Sequence, residues 1–244
     1  TIWVVMPLPK IATPTYELEL PSTGKKIRYR PFLVKEEKIL IIAMESENQK
    51  EIADAIKTVI GNCISTRGVK VDQLSTFDIE YLFLNIRGKS VGETVEVSIT
   101  CPDDGETQVP VVIPLDEIKV SKNSKHNRVI KLDDNLSMRL KYPSLSEFIK
   151  SNFTDEGSTG ISESFELISS CIDQVYNEEE SWSAKDCTKK ELSDFIEQLT
   201  SQQFKEIETF FDTMPKLSHT VKVLNPNTKV KSDVVLEGLS SFFL

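Results

Sequence analysis

The period of this chain changes at Pro31. Before it, Ile27-Arg28-Tyr29-Arg30 alternates apolar and charged residues, the two-residue repeat of a half-buried strand. After it, residues 33–45 carry Leu33, Ile39, Leu40, Ile41, Ile42 and Met44, apolar nearly all round the C-terminal half, the pattern of a helix buried on more than one side. Proline has no amide to donate and a fixed φ, so strand pairing stops there. A helix of this kind needs covers, and the next segments supply them. Asn48 can accept from the first turn of a helix with Ile52, Ile56, Val59, Ile60 and Cys63 on one stripe. Ser75 and Asp78 have capping-box spacing before a third helix, with Ile79, Leu82, Phe83 and Ile86 inward and Gly88, Ser90 and Gly92 to break it. Upstream, Tyr16-Glu17-Leu18-Glu19-Leu20 also alternates and Ser22-Thr23-Gly24 is turn chemistry. A hairpin is expected there, with Leu18, Leu20, Ile27 and Tyr29 on its inner face.

The middle of the chain reads as β-structure. Residues 94–100 alternate strictly, turn at 101–105 and return through 107–113. A further pair is expected at 127–132 and 136–142 around Asp133-Asp134-Asn135, with 119–126 as an exposed polar link. Helical signals then resume. Ser144 and Glu147 have capping-box spacing, and a helix is expected over 163–176. The acidic run 177–180 reads as a solvated loop, and Thr188 with Glu191 opens a helix carrying Leu192, Phe195, Ile196 and Leu199. Another helix over 201–213 stops before Pro215 and carries Phe204, Ile207, Phe210 and Phe211. The chain closes with a hairpin around Asn225-Pro226-Asn227-Thr228 and an apolar tail.

Hairpins and helices come in blocks, without βαβ alternation, so the expected class is α+β: a helical bundle packed with antiparallel β-hairpins. Four segments follow. Residues 1–15, with Pro7, Pro9 and Pro14, form an extended N-terminal arm, for which Met6 is the expected natural start. Residues 16–92 are a hairpin plus helical unit, 93–142 a β-rich insertion, and 143–244 a helical unit with a C-terminal hairpin. The second and fourth are expected to intertwine as one domain.

Reactive chemistry is sparse. The two histidines, His126 and His219, have no nucleophile motif nearby, and no phosphate-cradling glycine pattern occurs. Carboxylates gather in turns such as Asp103-Asp104, where solvation is their ordinary role. The turn Cys101-Pro102-Asp103-Asp104-Gly105 resembles half of a zinc ribbon in outline, but Asp104 stands where the second cysteine would be. The four cysteines are spread singly, which argues against a disulfide framework and for a reducing compartment. No enzyme, metal or cofactor is expected. A formal net charge of -9 disfavours nucleic acid and anionic membranes, and no apolar run reaches the ~18 residues of a membrane span.

That leaves protein partners and a cytoplasmic chain. The candidate contact residues are Arg28, Arg30 and Lys35 of a basic edge that also includes Lys38, then Trp182 beside the acidic run, then Leu239, Phe242 and Phe243 in the tail. The tail has two fates open to it: docking on its own core, or plugging a neighbouring subunit. Phe242→Ala with Phe243→Ala is expected to weaken partner binding more than fold stability.

Three stretches carry a family resemblance: Met6-Pro7-Leu8-Pro9-Lys10-Ile11 continuing through Thr13-Pro14-Thr15-Tyr16-Glu17-Leu18; Tyr29-Arg30-Pro31-Phe32-Leu33-Val34-Lys35-Glu36-Glu37-Lys38; and Leu236-Glu237-Gly238-Leu239 with Phe242-Phe243. The sequence resembles the T4-type bacteriophage baseplate proteins over residues 6–244. The resemblance implies a non-enzymatic hub subunit of a contractile tail baseplate, acting through protein–protein contacts. Its alternative is a hub assembly factor or chaperone absent from the mature virion, and a metal-dependent or hydrolytic tail enzyme is a minor third. The implied partners are other hub or wedge proteins, with a homo-oligomer open. The implied place is the virion tail baseplate, assembled in the host cytoplasm. Some members carry Cys-Pro-x-Cys where this chain has 101–104; with Asp104 here, no metal site carries over.

Overall fold

In the computed structural model the described residues are 11–145, 160–238 and 240–243, so most of the expected arm and the pairing of Ser144 with Glu147 lie outside them. The first unit starts with the antiparallel hairpin β1 (Tyr16–Glu19) and β2 (Lys26–Tyr29), with Leu18 opposite Ile27. Helices α1 (Val34–Glu45), α2 (Gln49–Cys63) and α3 (Thr76–Ser90) follow. Leu18, Leu20, Ile27 and Tyr29 are buried as expected, against Val59, Ile60 and Cys63 of α2 and Ile79, Leu82, Phe83 and Ile86 of α3. Asn48 caps α2, its Oδ1 accepting from the Lys50 and Glu51 amides at 2.9 and 3.3 Å.

Two local expectations change. Helix α3 runs on through Gly88 to Ser90, because the glycine answers to packing: a Cβ there would lie 3.2 Å from the Leu115 methyl. And the Ser75 hydroxyl donates to the Asp78 carboxylate at 2.7 Å in place of capping an amide. Asp78 also accepts from the amide and hydroxyl of Ser22, so this buried carboxylate ties the start of α3 to the turn of the first hairpin.

The strands beyond α3 are β3 (Thr94–Thr100), β4 (Gln108–Pro114), β5 (Lys119–Ser121), β6 (Val129–Lys131) and β7 (Ser137–Leu140). After them come α4 (Gly160–Cys171), β8 (Ile172–Tyr176), β9 (Ser181–Ser183), α5 (Lys189–Glu197), α6 (Ser201–Thr213), β10 (Lys216–Leu224), β11 (Lys231–Glu237) and the short α7 (Ser240–Phe243). The fold is mixed α+β with four small antiparallel sheets among the described residues: β1-β2, β3-β4, β11-β10-β5 and β6-β7-β8-β9. The β3-β4 pair and the β11-β10-β5 sheet share one core, with Val95, Ile99 and Ile113 from the first and Leu217, Val221 and Val223 from the second. The four-stranded sheet shares another with α4, α5 and α6, where Met138, Leu140, Ile172, Ile196, Ile207 and Phe210 meet.

Two segments depart from the sequence reading, and a third keeps it within a new hairpin. The expected exposed link at 119–126 contains β5, whose Val120 pairs with Leu217 of β10. The expected helix over 163–176 ends at Cys171; β-branched Ile172 and Val175 then place β8 between β7 and β9. The acidic run is the turn of the β8-β9 hairpin, held by the Asn177 side chain accepting from the Glu179 and Glu180 amides at 2.8 and 2.6 Å. Strand pairing therefore joins residues of the middle of the chain to those of its C-terminal third twice over.

Candidate protein-contact surface

The Pro31 junction is built around one buried carboxylate. Glu36, in the first turn of α1, is 0% exposed and reaches back to accept the Leu33 amide at 2.9 Å. Arg30 meets it with a two-bonded fork, Nη2 to Oε1 at 3.0 Å and Nη1 to Oε2 at 3.3 Å. The same guanidinium donates to the Pro31 carbonyl at 2.9 Å and to the Asn62 carbonyl, next to the end of α2, at 3.0 Å. Burial pushes the Glu36 carboxyl up, but the Arg30 hydrogen bond, the Leu33 amide and the charges of Arg30 and Lys35 outweigh it, so its pKa lies below the ordinary glutamate value. Arg30 is thus the tie between β2, α1 and α2. This revises its reading as part of a free basic edge. Arg28 and Lys35 keep exposed side chains, Arg28 within 3.4 Å of Glu17 across the hairpin and Lys35 within 3.4 Å of Glu36.

Helix α1 does not behave as a helix covered all round. Ala43 is buried, and Ile39 and Leu40 pack against the first core, but Val34 is 80% exposed, Ile42 56%, Ile41 50%, Met44 49% and Leu33 42%. The expectation that 33 and 39–44 form core fails for most of these residues, for a simple reason. Among the described residues α2 is the main element packed on α1, and a helix with one neighbour buries one stripe. The outer side carries apolar residues all the same.

Of the other sequence candidates, Trp182 is 44% exposed on β9, the edge strand of the four-stranded sheet. Phe242 is 1% exposed and belongs to the core shared by β3 and β10, so the tail takes the first of its two fates at this residue. Leu239 and the side chain of Phe243 lie outside what is described. Trp182, on the four-stranded sheet, and Phe242, in the core of β3 and β10, belong to different parts of the fold.

Sequence reasoning missed a clamp between two hairpin tips. Asn225 donates through Nδ2 to both Asp103 oxygens at 3.1 and 3.2 Å and to Asp104 Oδ2 at 2.7 Å, while the Thr228 hydroxyl donates to Asp103. Asp104 also accepts the Glu106 and Thr107 amides at 3.1 and 3.0 Å. Hydrogen bonding, first from Thr228 to Asp103 and from Thr107 to Asp104, holds both carboxyls below the usual range. The turn that resembles half a zinc ribbon uses its carboxylates to bind a neighbouring loop. No group of three or more metal-ligating side chains occurs among the described residues.

His126 is likewise a packing group. It packs against both Tyr142 and Phe210, with ring centroids at 5.6 and 5.1 Å, and those two rings are themselves 5.9 Å apart. The Thr213 hydroxyl donates to the Thr209 carbonyl at 2.6 Å, so it accepts from His126 Nδ1 at 3.0 Å, and Nε2 is left to accept from the Tyr142 hydroxyl at 3.2 Å. Burial first, then the charge of Arg128, lowers its pKa. Among the described residues its hydrogen-bonding partners are Thr213 and Tyr142, with no serine or cysteine nucleophile.

A family model described as T4 bacteriophage base plate protein matches residues 13–244. The chain belongs to that family. Comparison with curated proteins and with solved structures gave no match. Membership in the base plate family implies a place in the virion tail and contacts with other base plate proteins. No helix among the described residues is long and apolar enough to cross a membrane. In a base plate protein, an apolar outer face such as that of α1 has an evident use.

Proposed function

We propose that this chain is a non-enzymatic hub subunit of a contractile tail base plate. It acts through contacts with other hub or wedge proteins and is assembled in the host cytoplasm. The observation that supports this reading is the outer face of α1. Val34, Ile41, Ile42 and Met44, with Leu33 at the helix start, are exposed on one helix, whereas a chain with no partner keeps its apolar patches small. Covering half-exposed side chains of this size is worth about 1 kcal/mol each, since full burial is worth roughly 1.5–3 kcal/mol. A few such residues suffice for a specific contact.

Quantitative mass spectrometry of purified particles and of tail-assembly intermediates tests the reading. A hub subunit is retained in particles at fixed stoichiometry. Presence in intermediates with absence from particles would overturn it and assign the chain to the assembly factors.

A further inference from the structure

The charges that flank the apolar residues of α1 have an order. On the exposed side, Lys38 and Glu45 stand seven residues apart, about two helical turns, and so lie nearly on one line along the helix. Ile41 and Ile42 fall between them, 50% and 56% exposed. Neither Lys38 nor Glu45 has an ion-pair or hydrogen-bond partner among the described residues, unlike Lys35, which is drawn to Glu36. The face therefore runs from a cation, across two isoleucines, to an anion. Such a strip is complementary to itself when a second one is laid on it in the opposite direction.

We infer that the outer face of α1 binds a second copy of this chain, the two α1 helices crossing antiparallel about a two-fold axis that passes between Ile41 and Ile42. In that arrangement Ile41 of each copy meets Ile42 of the other, and Lys38 of each meets Glu45 of the other. The remaining exposed charges of the helix are not opposed by their own kind: Glu37 comes opposite Ser46 at the partner helix's end, and Lys35 lies beyond that end, since the chain turns out of the helix at Glu47. A two-fold contact uses the same patch on both partners, so one favourable charge pair on the helix becomes two in the dimer. Parallel stacking would set Lys38 on Lys38 and Glu45 on Glu45, which like-charge repulsion disfavours.

The expected affinity is modest. Twelve helical residues make a strip about 18 Å long and about 10 Å wide, small beside the ~800 Å² per partner of a standard interface. A dimer held by this face dissociates at micromolar concentration, which lets the same surface be taken over on assembly. The inference goes beyond the hub reading and stands apart from it. A dimer in solution with the chain absent from particles would fail the hub reading and leave this one intact.

Sedimentation velocity of the full chain over about 1 to 500 μM is the test. The wild-type chain should shift from monomer to dimer across the series. Ile41→Asp should remain monomeric while keeping its circular dichroism melting curve, since the side chain is half-exposed. Lys38→Glu and Glu45→Lys should each weaken the dimer by about tenfold or more, because each opposes two pairs of like charges. A mixture of these two variants should recover the wild-type affinity, since a heterodimer of the two restores both opposite-charge pairs. A monomer throughout the range, a dimer indifferent to the three substitutions, or a mixture no tighter than its components would overturn the inference.

Discussion

Replacing Arg30 by alanine should cost about 3 kcal/mol of stability, and the cost should depend on pH. The substitution removes both hydrogen bonds to Glu36 and those to the Pro31 and Asn62 carbonyls. What remains is a carboxylate at 0% exposure with only the Leu33 amide and the outlying Lys35 ammonium beside it. Breaking one side of a buried pair costs about 3–5 kcal/mol, and the lower end applies because the Arg30 side chain itself is 21% exposed and Lys35 stays. Glu36→Gln should cost less, about 1–2 kcal/mol, because the freed guanidinium reaches water more easily than the freed carboxylate does.

The pH dependence has a definite sign. In the wild type the Glu36 pKa is depressed on folding, so its contribution is complete above the unfolded value of about 4.3 and is lost as pH falls through the folded value. Without Arg30, burial dominates and raises the pKa, so the variant takes up a proton where the wild type does not. The gap between wild type and Arg30→Ala is therefore widest near neutrality, begins to narrow as pH falls through the variant's raised pKa, above about 4.3, and narrows further through the wild type's depressed one. Urea denaturation of both chains at a series of pH values measures it. A loss under about 0.5 kcal/mol, or one that stays constant with pH, would refute the view that Glu36 is a buried anion held by Arg30.

Further outcomes follow from the same structure. Phe242→Ala should cost about 3–5 kcal/mol and lower the melting temperature by several degrees, in place of the partner-specific loss expected for a tail that plugs a neighbour; an unchanged melt would show that the tail is not docked. His126→Gln should flatten the acid limb of stability. The folded pKa lies below the ordinary value of about 6.5, so the histidine's contribution is full above that value and fades as pH falls toward the folded one; calorimetry at pH 7.5 and 5.5 should show a smaller difference in the variant than in the wild type. Asn225→Ala should speed amide hydrogen exchange at Glu106 and Thr107 as well as in its own turn, and unchanged protection at 103–107 would mean the two hairpin tips are independent.

Several features were legible because their causes are local. Asn48, the pairing of Thr188 with Glu191, and the first, middle and last hairpins all depend on residues within a few positions of one another, and the structure shows each. The inner face of the first hairpin was legible for the same reason. The absence of βαβ alternation carried the α+β class. The misread segments fail where the decisive partner is distant. Val120 became a strand because Leu217 lies beside it, Gly88 was kept for Leu115, and Asp103 and Asp104 were claimed by Asn225 and Thr228. Among the contact candidates, composition alone put Arg30 on a basic edge, and only the buried Glu36 six residues away turned it inward.

The order of residues along 34–45 is enough to make them helical and to leave much of their surface apolar. It could not say which part of that surface is core. A run of isoleucines gives the same signal whether its cover comes from the same chain or from another molecule, since the pattern records apolarity and says nothing of what lies opposite. That was decided by the tertiary structure, in which α2 takes one side of α1 and leaves Val34, Ile41, Ile42 and Met44 to the outside. The change of period at Pro31 marks the start of the helix; the packing of α2 beside it decides which side becomes a surface for partners.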